Sequence, residues 1–418
     1  MNPKVSRRTF VGAAVAAGAA GSAKAQSGEG KAASAASRKT GFDVAIVGAG
    51  VFGAWTARHL QSRGLRVALI DEYGPASSRA SSGGETRVIR MGYGSQEIYS
   101  KMSWDSLAQW KGLERETGER LFTETGMLFL ARERDALTTD TAAMLKKLDI
   151  PHEVLERTDL QKRYPQIDLG PITWAVSEPR SGALFARRGV QVVAREFRKA
   201  GGEMILGRAE VPAGDGAVTS IKVSDRTVEA KHFVFACGPW LGKVFPEVLG
   251  DRIFPTRQEV FYFGVPPGDD RFGPPKMPTW IDFGAEIYGI PDIETRGFKV
   301  AIDKHGPRFD PDLGERLVTA ESRALVKAFV AERFPALRDA PIVGSEVCQY
   351  ENSSNGDFLI DRHPRHPNVW LVGGGSGHGF KHGPALGAYV ADRITKGGPT
   401  DVKFSLATKD KVQARAVH

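Results

Sequence analysis

Residues 42–72, FDVAIVGAGVFGAWTARHLQSRGLRVALIDE, leave this chain few folds to choose from. Phe42 to Val47 is an apolar run of strand length, and Gly48, Gly50 and Gly53 follow it as G-x-G-x-x-G. Residues 54–63 read as a helix, with Ala54, Ala57 and Leu60 able to share one face. Gly64 stops that helix, residues 67–70 form a second buried strand, and Asp71 stands 23 residues after Gly48. The three glycines have separate steric tasks: Gly48 allows a tight turn, Gly50 lets a pyrophosphate approach the backbone, and Gly53 lets the helix lie close to the strand. The helix start then offers N–H groups and a positive dipole end to phosphates. Asp71 can accept from ribose hydroxyls, which disfavours a 2′-phosphate. The unit predicts a dinucleotide-binding α/β layer and does not by itself separate NAD from FAD.

The net charge of +8 invites a nucleic-acid reading, and its distribution removes it. Residues 1–40 hold seven Lys and Arg and one acid, Glu29, which leaves 50 basic against 48 acidic residues in the rest of the chain. No stripe of aromatic and basic residues suggests nucleic-acid contact. Within the leader, Ser6-Arg7-Arg8-Thr9-Phe10 has the pattern of a twin-arginine export signal. A mild Ala/Gly/Val stretch covers 11–20, and Ala23-Lys24-Ala25 offers small-x-small cleavage after Ala25. The stretch is too short and too weakly apolar to span a membrane. A signal peptide is therefore expected over 1–25 and a small polar linker over 26–40. The protein should be exported to the periplasm through the twin-arginine translocase, which carries folded proteins and so suits one that takes up its cofactor in the cytoplasm. Cys237 and Cys348 are too few for a disulfide scaffold, although two cysteines in an exported protein could pair. No Cys/His cluster has zinc spacing, so no metal site is expected.

Further along, residues 72–84 are a Ser/Gly/Pro-rich loop. Arg87 and Arg90 then stand three apart, a spacing that can project both from one face of a turn or helix, and arginine forks suit carboxylate or phosphate. Helices are expected over 96–117, 134–148, 158–163, 187–199 and 315–334. Residues 121–131 alternate like a strand with a turn at Thr125-Gly126, and 203–206 and 228–236 read as strands. Between 256 and 304 the segments EVFYFGV, PTWIDF, EIYGIP and GFKVAID, separated by Pro, Asp and Gly, predict antiparallel sheet.

A second glycine loop closes the chain. The apolar run 369–372 leads into residues 373–384, GGGSGHGFKHGP, with Gly375, Gly377 and Gly379, and a helix is expected over 385–394. Two such loops far apart in sequence suit a long cofactor bound end to end, as FAD is, better than NAD. The expected class is α/β with an α+β second domain: a Rossmann-like FAD-binding domain from 41–120, 185–255 and 345–405, an inserted antiparallel-sheet substrate domain from 121–184 and 256–344, and a tail over 406–418.

Six motifs together carry a family likeness: Gly48 to Asp71, Glu85-Thr86-Arg87-x-Ile89-Arg90, Gly297-Phe298-Lys299, Cys348-x-Tyr350, Phe358-x-Ile360-Asp361 and Ser376-Gly377-His378-Gly379-Phe380-Lys381. From residue 42 to about 404 the chain resembles the FAD-dependent D-amino-acid-oxidase superfamily, and within it monomeric sarcosine oxidase and the N-methyl amino acid oxidases. The resemblance implies that Gly48, Gly50, Gly53 and Asp71 hold the ADP half of FAD. It implies that Cys348 links its sulfur to the flavin 8α-methyl, and that Arg87 lies close to the isoalloxazine. It places Lys299 beside flavin N5 to promote oxygen reduction, makes Arg90 and Lys381 the pair that binds the substrate carboxylate, lines the pocket with Tyr288 and Tyr350, and runs His378 past the flavin. Without a link, Cys348 would be a buried thiol or the partner of Cys237.

The implied reaction moves a hydride from the carbon beside nitrogen to flavin N5, after which the imine hydrolyses and dioxygen takes the electrons as hydrogen peroxide. This chain departs from the sarcosine oxidase pattern at Asp303, where those enzymes carry a histidine four residues after the lysine. An acid there disfavours a carboxylate and favours a larger or more basic N-alkyl amino acid over sarcosine. The expected protein is an exported monomer that oxidises a secondary or N-methyl amino acid. Its rivals are a dehydrogenase on the same fold that feeds a respiratory carrier, an oxidase of a primary amine, a flavin-binding protein without turnover, and an NAD-dependent dehydrogenase, which would need neither Cys348 nor the second glycine loop.

Overall fold

A computed structural model describes residues 41–413, so the signal and linker expected over 1–40 lie outside the described residues. The strand Phe42–Val47 sits at the middle of a seven-stranded sheet, parallel to Val67–Asp71 on one side and to Arg226–Phe235 on the other. Glu203–Leu206 extends the first side and Val369–Gly373 the second, both parallel, and Leu359–Arg362 adds an antiparallel edge. Val44 to Ile46 and Val67 to Ile70 are fully buried, as parallel strands covered on both faces require.

The helix after the first strand runs Val51–Ser62, three residues earlier than its apolar face suggested, with Gly50 as N-cap. Gly53 thus lies inside the first turn, where a Cβ would meet the Gly48 carbonyl oxygen at 1.9 Å. Gly48 itself has φ +105°, and a Cβ there would come within 2.3 Å of the Ala236 carbonyl oxygen. At Gly50 a Cβ would find only the Ser82 hydroxyl, at 3.5 Å. Gly53→Ala should therefore lose ~2–3 kcal/mol of stability in denaturant unfolding. Gly50→Ala should stay within ~0.5 kcal/mol of the parent and lose FAD affinity instead.

Eight strands make the second sheet, in the order Ile342–Ser353, Ile253–Phe263, Phe298–Ile302, Ile287–Ile290, Thr279–Asp282, Met127–Ala131, Trp174–Glu178 and Glu153–Glu156. Neighbours are antiparallel except Thr279–Asp282 and Met127–Ala131. Its two faces are chemically different. Phe261, Phe263, Trp280, Phe298 and Val300 share a core with Val326 and Val330 of the helix Ala320–Arg333. On the other face Tyr262 pairs with Lys299, Val260 with Ala301, Gln258 with Cys348, Thr256 with Tyr350, and Tyr288 with Ala301. Period-two alternation thus gathers residues from four strands onto one surface.

Two expectations are corrected, and one turn falls where it was expected. Arg87 and Arg90 do not share a face of a turn or helix: Thr86–Ile89 is a strand, in a small sheet with Gly182–Phe185 and Phe122–Glu124. Residues 121–131 turn at Thr125-Gly126 as expected: Phe122–Glu124 stays in the small sheet and, after Gly126 at φ +75°, Met127–Ala131 joins the eight-stranded one. The helix expected from 315 begins only at Ala320, where the Thr319 hydroxyl accepts from the Ser322 N–H at 3.2 Å. The segment before it is held elsewhere, with Lys243 paired to Asp310 and Asp312 at 2.7 and 2.6 Å.

Residues 406–413 are packed rather than trailing. Lys409 is fully buried, and the Asp410 N–H donates to the Ser354 hydroxyl at 2.7 Å. Among the described residues no helix is long and apolar enough to cross a membrane.

Candidate active site

A cavity of about 830 Å³ runs from Asp71 past Gly48 and Gly50 to Arg87, Cys348 and Tyr350, with Gly375, Gly377 and Gly379 along its wall. Both glycine loops of the sequence therefore line one space. At one end Asp71 is held by backbone N–H groups, those of Ala49 at 2.7 Å, Tyr73 at 2.9 Å and Gly74 at 2.8 Å. Burial raises its pKa and these donors oppose the shift. Two more features suit a polar, elongated ligand. The Gln349 and Glu351 side chains line the cavity, and each has an Oε1 that is buried without a partner, a state that costs free energy until a donor arrives. Burial pushes the Glu351 carboxyl up to about 7. The size lies within the ~300–1,000 Å³ of small-molecule sites, and the residues present fit FAD.

Cys348 lies at the other end. An Arg87 guanidinium nitrogen approaches its sulfur to 3.2 Å while also donating to the Ser81 carbonyl at 2.7 Å. Cys348 and Cys237 are both free thiols, which removes the disulfide alternative. Lys299 is 1% exposed and donates to the Thr86 carbonyl at 2.7 Å. Burial first, and then the Arg87 charge, push its pKa down to about 7. Tyr350 donates to Asp303 Oδ1 at 2.9 Å and shares a side-chain hydrogen bond with Tyr288. Burial and the Asp303 charge keep Tyr350 protonated. The Tyr350 ring seats against Gly377, where a Cβ would come within 2.7 Å of it.

Arg90 and Lys381 meet on a residue that the sequence reading had not singled out. The Arg90 guanidinium lies 4.4 Å from the centre of the Tyr93 ring, and Lys381 Nζ donates to the Tyr93 hydroxyl at 2.8 Å and to the His378 carbonyl at 2.9 Å. The same hydroxyl is 3.3 Å from His378 Nδ1 and 2.8 Å from His382 Nε2. His378 Nε2 faces the Gly356 carbonyl at 3.0 Å and so donates to it. His378 is thus fixed beneath the loop by its backbone and both ring nitrogens. His382 is fully buried, and burial together with the Lys381 charge holds it neutral. Glu178, also fully buried, accepts from the Met91 N–H at 2.9 Å and lies close enough to feel the Arg90 charge. Tyr93 stands three residues after Arg90, and His382 directly follows Lys381. Glu178 is the acid that ends the buried strand WAVSE, an unpaired-looking carboxylate in an apolar run and the best sequence signal of the three.

A cavity lined by both glycine loops that ends among fixed cations and a thiol suits a flavoprotein oxidoreductase: the cofactor brings the redox chemistry and the protein brings charge and orientation. The family model for FAD dependent oxidoreductases (DAO) matches residues 43–393, and the chain belongs to that family. It is similar to monomeric sarcosine oxidase of Bacillus sp. (strain B-0618), with 30% identity over 381 residues that cover 88% of this chain and 95% of the relative. It is similar to N-methyl-L-tryptophan oxidase of Salmonella heidelberg (strain SL476), with 28% identity over 365 residues, 84% of this chain and 94% of the relative. Among solved structures, fructosamine oxidase (Amadoriase II) from Aspergillus fumigatus shares the fold with a TM-score of 0.76 at 22% identity, covering 90% of this chain and 92% of that one.

Proposed function

We propose that the protein oxidises the C–N bond of a secondary or N-methyl amino acid, with dioxygen as final acceptor and hydrogen peroxide as product, after export to the periplasm as a folded monomer by the twin-arginine translocase. The observation that carries this reading is the convergence of Arg90 and Lys381 on Tyr93, beside the glycine loop that lines the cavity. Two cations on one ring suit a carboxylate. The relatives' names support an N-methylated nitrogen, and the leader sequence supports export.

In this reading Arg90 and Lys381 hold the substrate carboxylate, and that anchoring fixes the reacting carbon. Positioning of this kind contributes ~7–11 kcal/mol to a barrier. A bound flavin supplies the two-electron acceptor and returns the electrons to dioxygen. The substrate nitrogen's lone pair becomes the second bond of C=N as hydride leaves carbon, and water then cleaves the imine to an amine and a carbonyl compound. Lys299 contributes a fixed positive charge where oxygen becomes negative, an electrostatic role. Arg87, 3.2 Å from the Cys348 sulfur, holds that sulfur in place as the atom that attaches the cofactor.

An anaerobic titration of the flavin absorbance tests the reaction class. Sarcosine, larger N-methyl amino acids, primary D-amino acids and NADH are added in turn. Bleaching by an N-methyl amino acid and recovery on admitting air is the expected result. Recovery only with an added dye would make the protein a dehydrogenase, and no bleaching by any amine would remove the substrate assignment. Attachment has its own test: flavin should remain with the denatured, precipitated parent protein and be released from Cys348→Ser. A parent protein that already releases it has no link.

A further inference from the structure

The last described residues are tied to the loop that holds His378. Residues 354–357 connect the strand of Cys348 to the edge strand Leu359–Arg362. The Asn355 amide donates to the Thr408 carbonyl at 3.2 Å, and the Asp410 N–H donates to the Ser354 hydroxyl at 2.7 Å. Lys409, between them, is fully buried and has no part in the reaction derived above. Its Nζ donates to the Lys403 carbonyl at 2.8 Å and to the Thr408 hydroxyl at 2.9 Å, and the Asp357 and Asp361 charges support its own. Burying a charge is costly unless it is paired and hydrogen-bonded. The tail is thus held against the 354–357 loop by charge as well as by hydrogen bonds.

On its other side the same loop reaches the substrate end. The Gly356 carbonyl accepts from His378 Nε2 at 3.0 Å, and the Asp357 carboxylate accepts from the Tyr99 hydroxyl at 2.8 Å. The Tyr99 ring packs edge-on against the His378 ring, with centroids 5.0 Å apart. The His378 carbonyl in turn accepts from Lys381 Nζ at 2.9 Å, and its Nδ1 lies 3.3 Å from the Tyr93 hydroxyl that Lys381 also meets. Tail, loop, His378 and Lys381 form one connected series. We propose that residues 408–410 are a positioning element of the substrate site: by clamping the 354–357 loop they hold His378, and through it Lys381, where the substrate carboxylate binds. This inference rests on the reading of Arg90 and Lys381 as the carboxylate site. It gives the C-terminal segment a part in substrate recognition although none of its side chains touches the substrate.

Two variant holoenzymes are compared with the parent: a chain ending at Ala407, and Lys409→Met. The shortened chain keeps its anchor, because Phe404 is fully buried and the Leu406 N–H donates to the Asp361 carboxylate at 2.8 Å. Binding of propionate, a carboxylate with no nitrogen to oxidise, is read from perturbation of the flavin absorbance. The shortened chain should bind it ~10-fold more weakly, within the ~10²-fold that a displacement of 1 Å costs. KM for an N-methyl amino acid should rise by a similar factor with kcat nearly kept. Lys409→Met, which retains the tail's backbone bonds, should lose part of the same affinity. Reoxidation of the reduced flavin by dioxygen, which the Lys299 charge serves, should be unchanged, whereas a merely loosened protein would lose both half-reactions. Parent-like propionate binding in the shortened chain, or in Lys409→Met if that chain does not fold, overturns the tail's role and leaves the carboxylate site standing; equal loss in both half-reactions does the same. A parent that binds no propionate and shows no preference for a carboxylate on its substrate overturns the carboxylate reading, and this inference with it.

Discussion

Replacing Lys299 with Met slows the reaction of the reduced enzyme with dioxygen by ~10²–10³-fold, the usual cost of one preorganised charge or donor, and changes substrate reduction far less. The asymmetry follows from where the charge sits. Lys299 is buried and bonded to the Thr86 carbonyl, so it cannot swing toward a substrate and acts where it stands. Its pH dependence has a definite sign. Burial and Arg87 push the pKa down to about 7, so the cation is present below that value and is lost as pH rises through it. Negative charge arriving beside the ammonium moves the transition upward. Stopped-flow mixing with oxygenated buffer on both sides of neutrality should show a rate that falls with rising pH in the parent and a flat, slow rate in Lys299→Met. Equal slowing of both half-reactions would remove the oxygen-directed role.

Removing either cation of the Tyr93 pair gives the second large effect. Arg90→Met and Lys381→Met should each lower kcat/KM for an N-methyl amino acid by ~10²-fold, as expected for truncating one partner of a buried charged pair. The matching N-methyl amine without a carboxylate should be almost unaffected, which tells a binding role from general damage to the site. Both side chains touch Tyr93, so the double variant should lose less than the product of the single effects. Independent losses would mean that the two cations do not act on one group.

The sequence was most legible where one residue type has one geometric use. The strand, glycine turn and second strand could be read because Gly48 needs positive φ and Gly53 needs the space of a missing Cβ. The eight-stranded sheet was visible as alternating apolar segments, yet no local pattern could say that Lys299 and Cys348 face the same way. That depends on the Ile253–Phe263 strand lying between theirs. The arginine pair was misread because a spacing of three is shared by helices and by strands, and only pairing with Gly182–Phe185 decides. Tyr93 and Glu178 stayed hidden for a different reason: a tyrosine after a glycine and an acid at a strand end are common, and their importance here is tertiary.

The walls of the cofactor cavity include residues from both ends of the described chain, 47–52 and 375–380. During synthesis the first glycine loop emerges long before its opposite wall exists. The intervening strand pairs join residues far apart in sequence, and such pairing is slow. The cofactor can be captured only after nearly the whole polypeptide has left the ribosome, and until then the central strands lack the partners that cover them. Nascent chains should therefore depend on chaperones most in that interval, and supply of FAD should decide how many of them mature rather than aggregate.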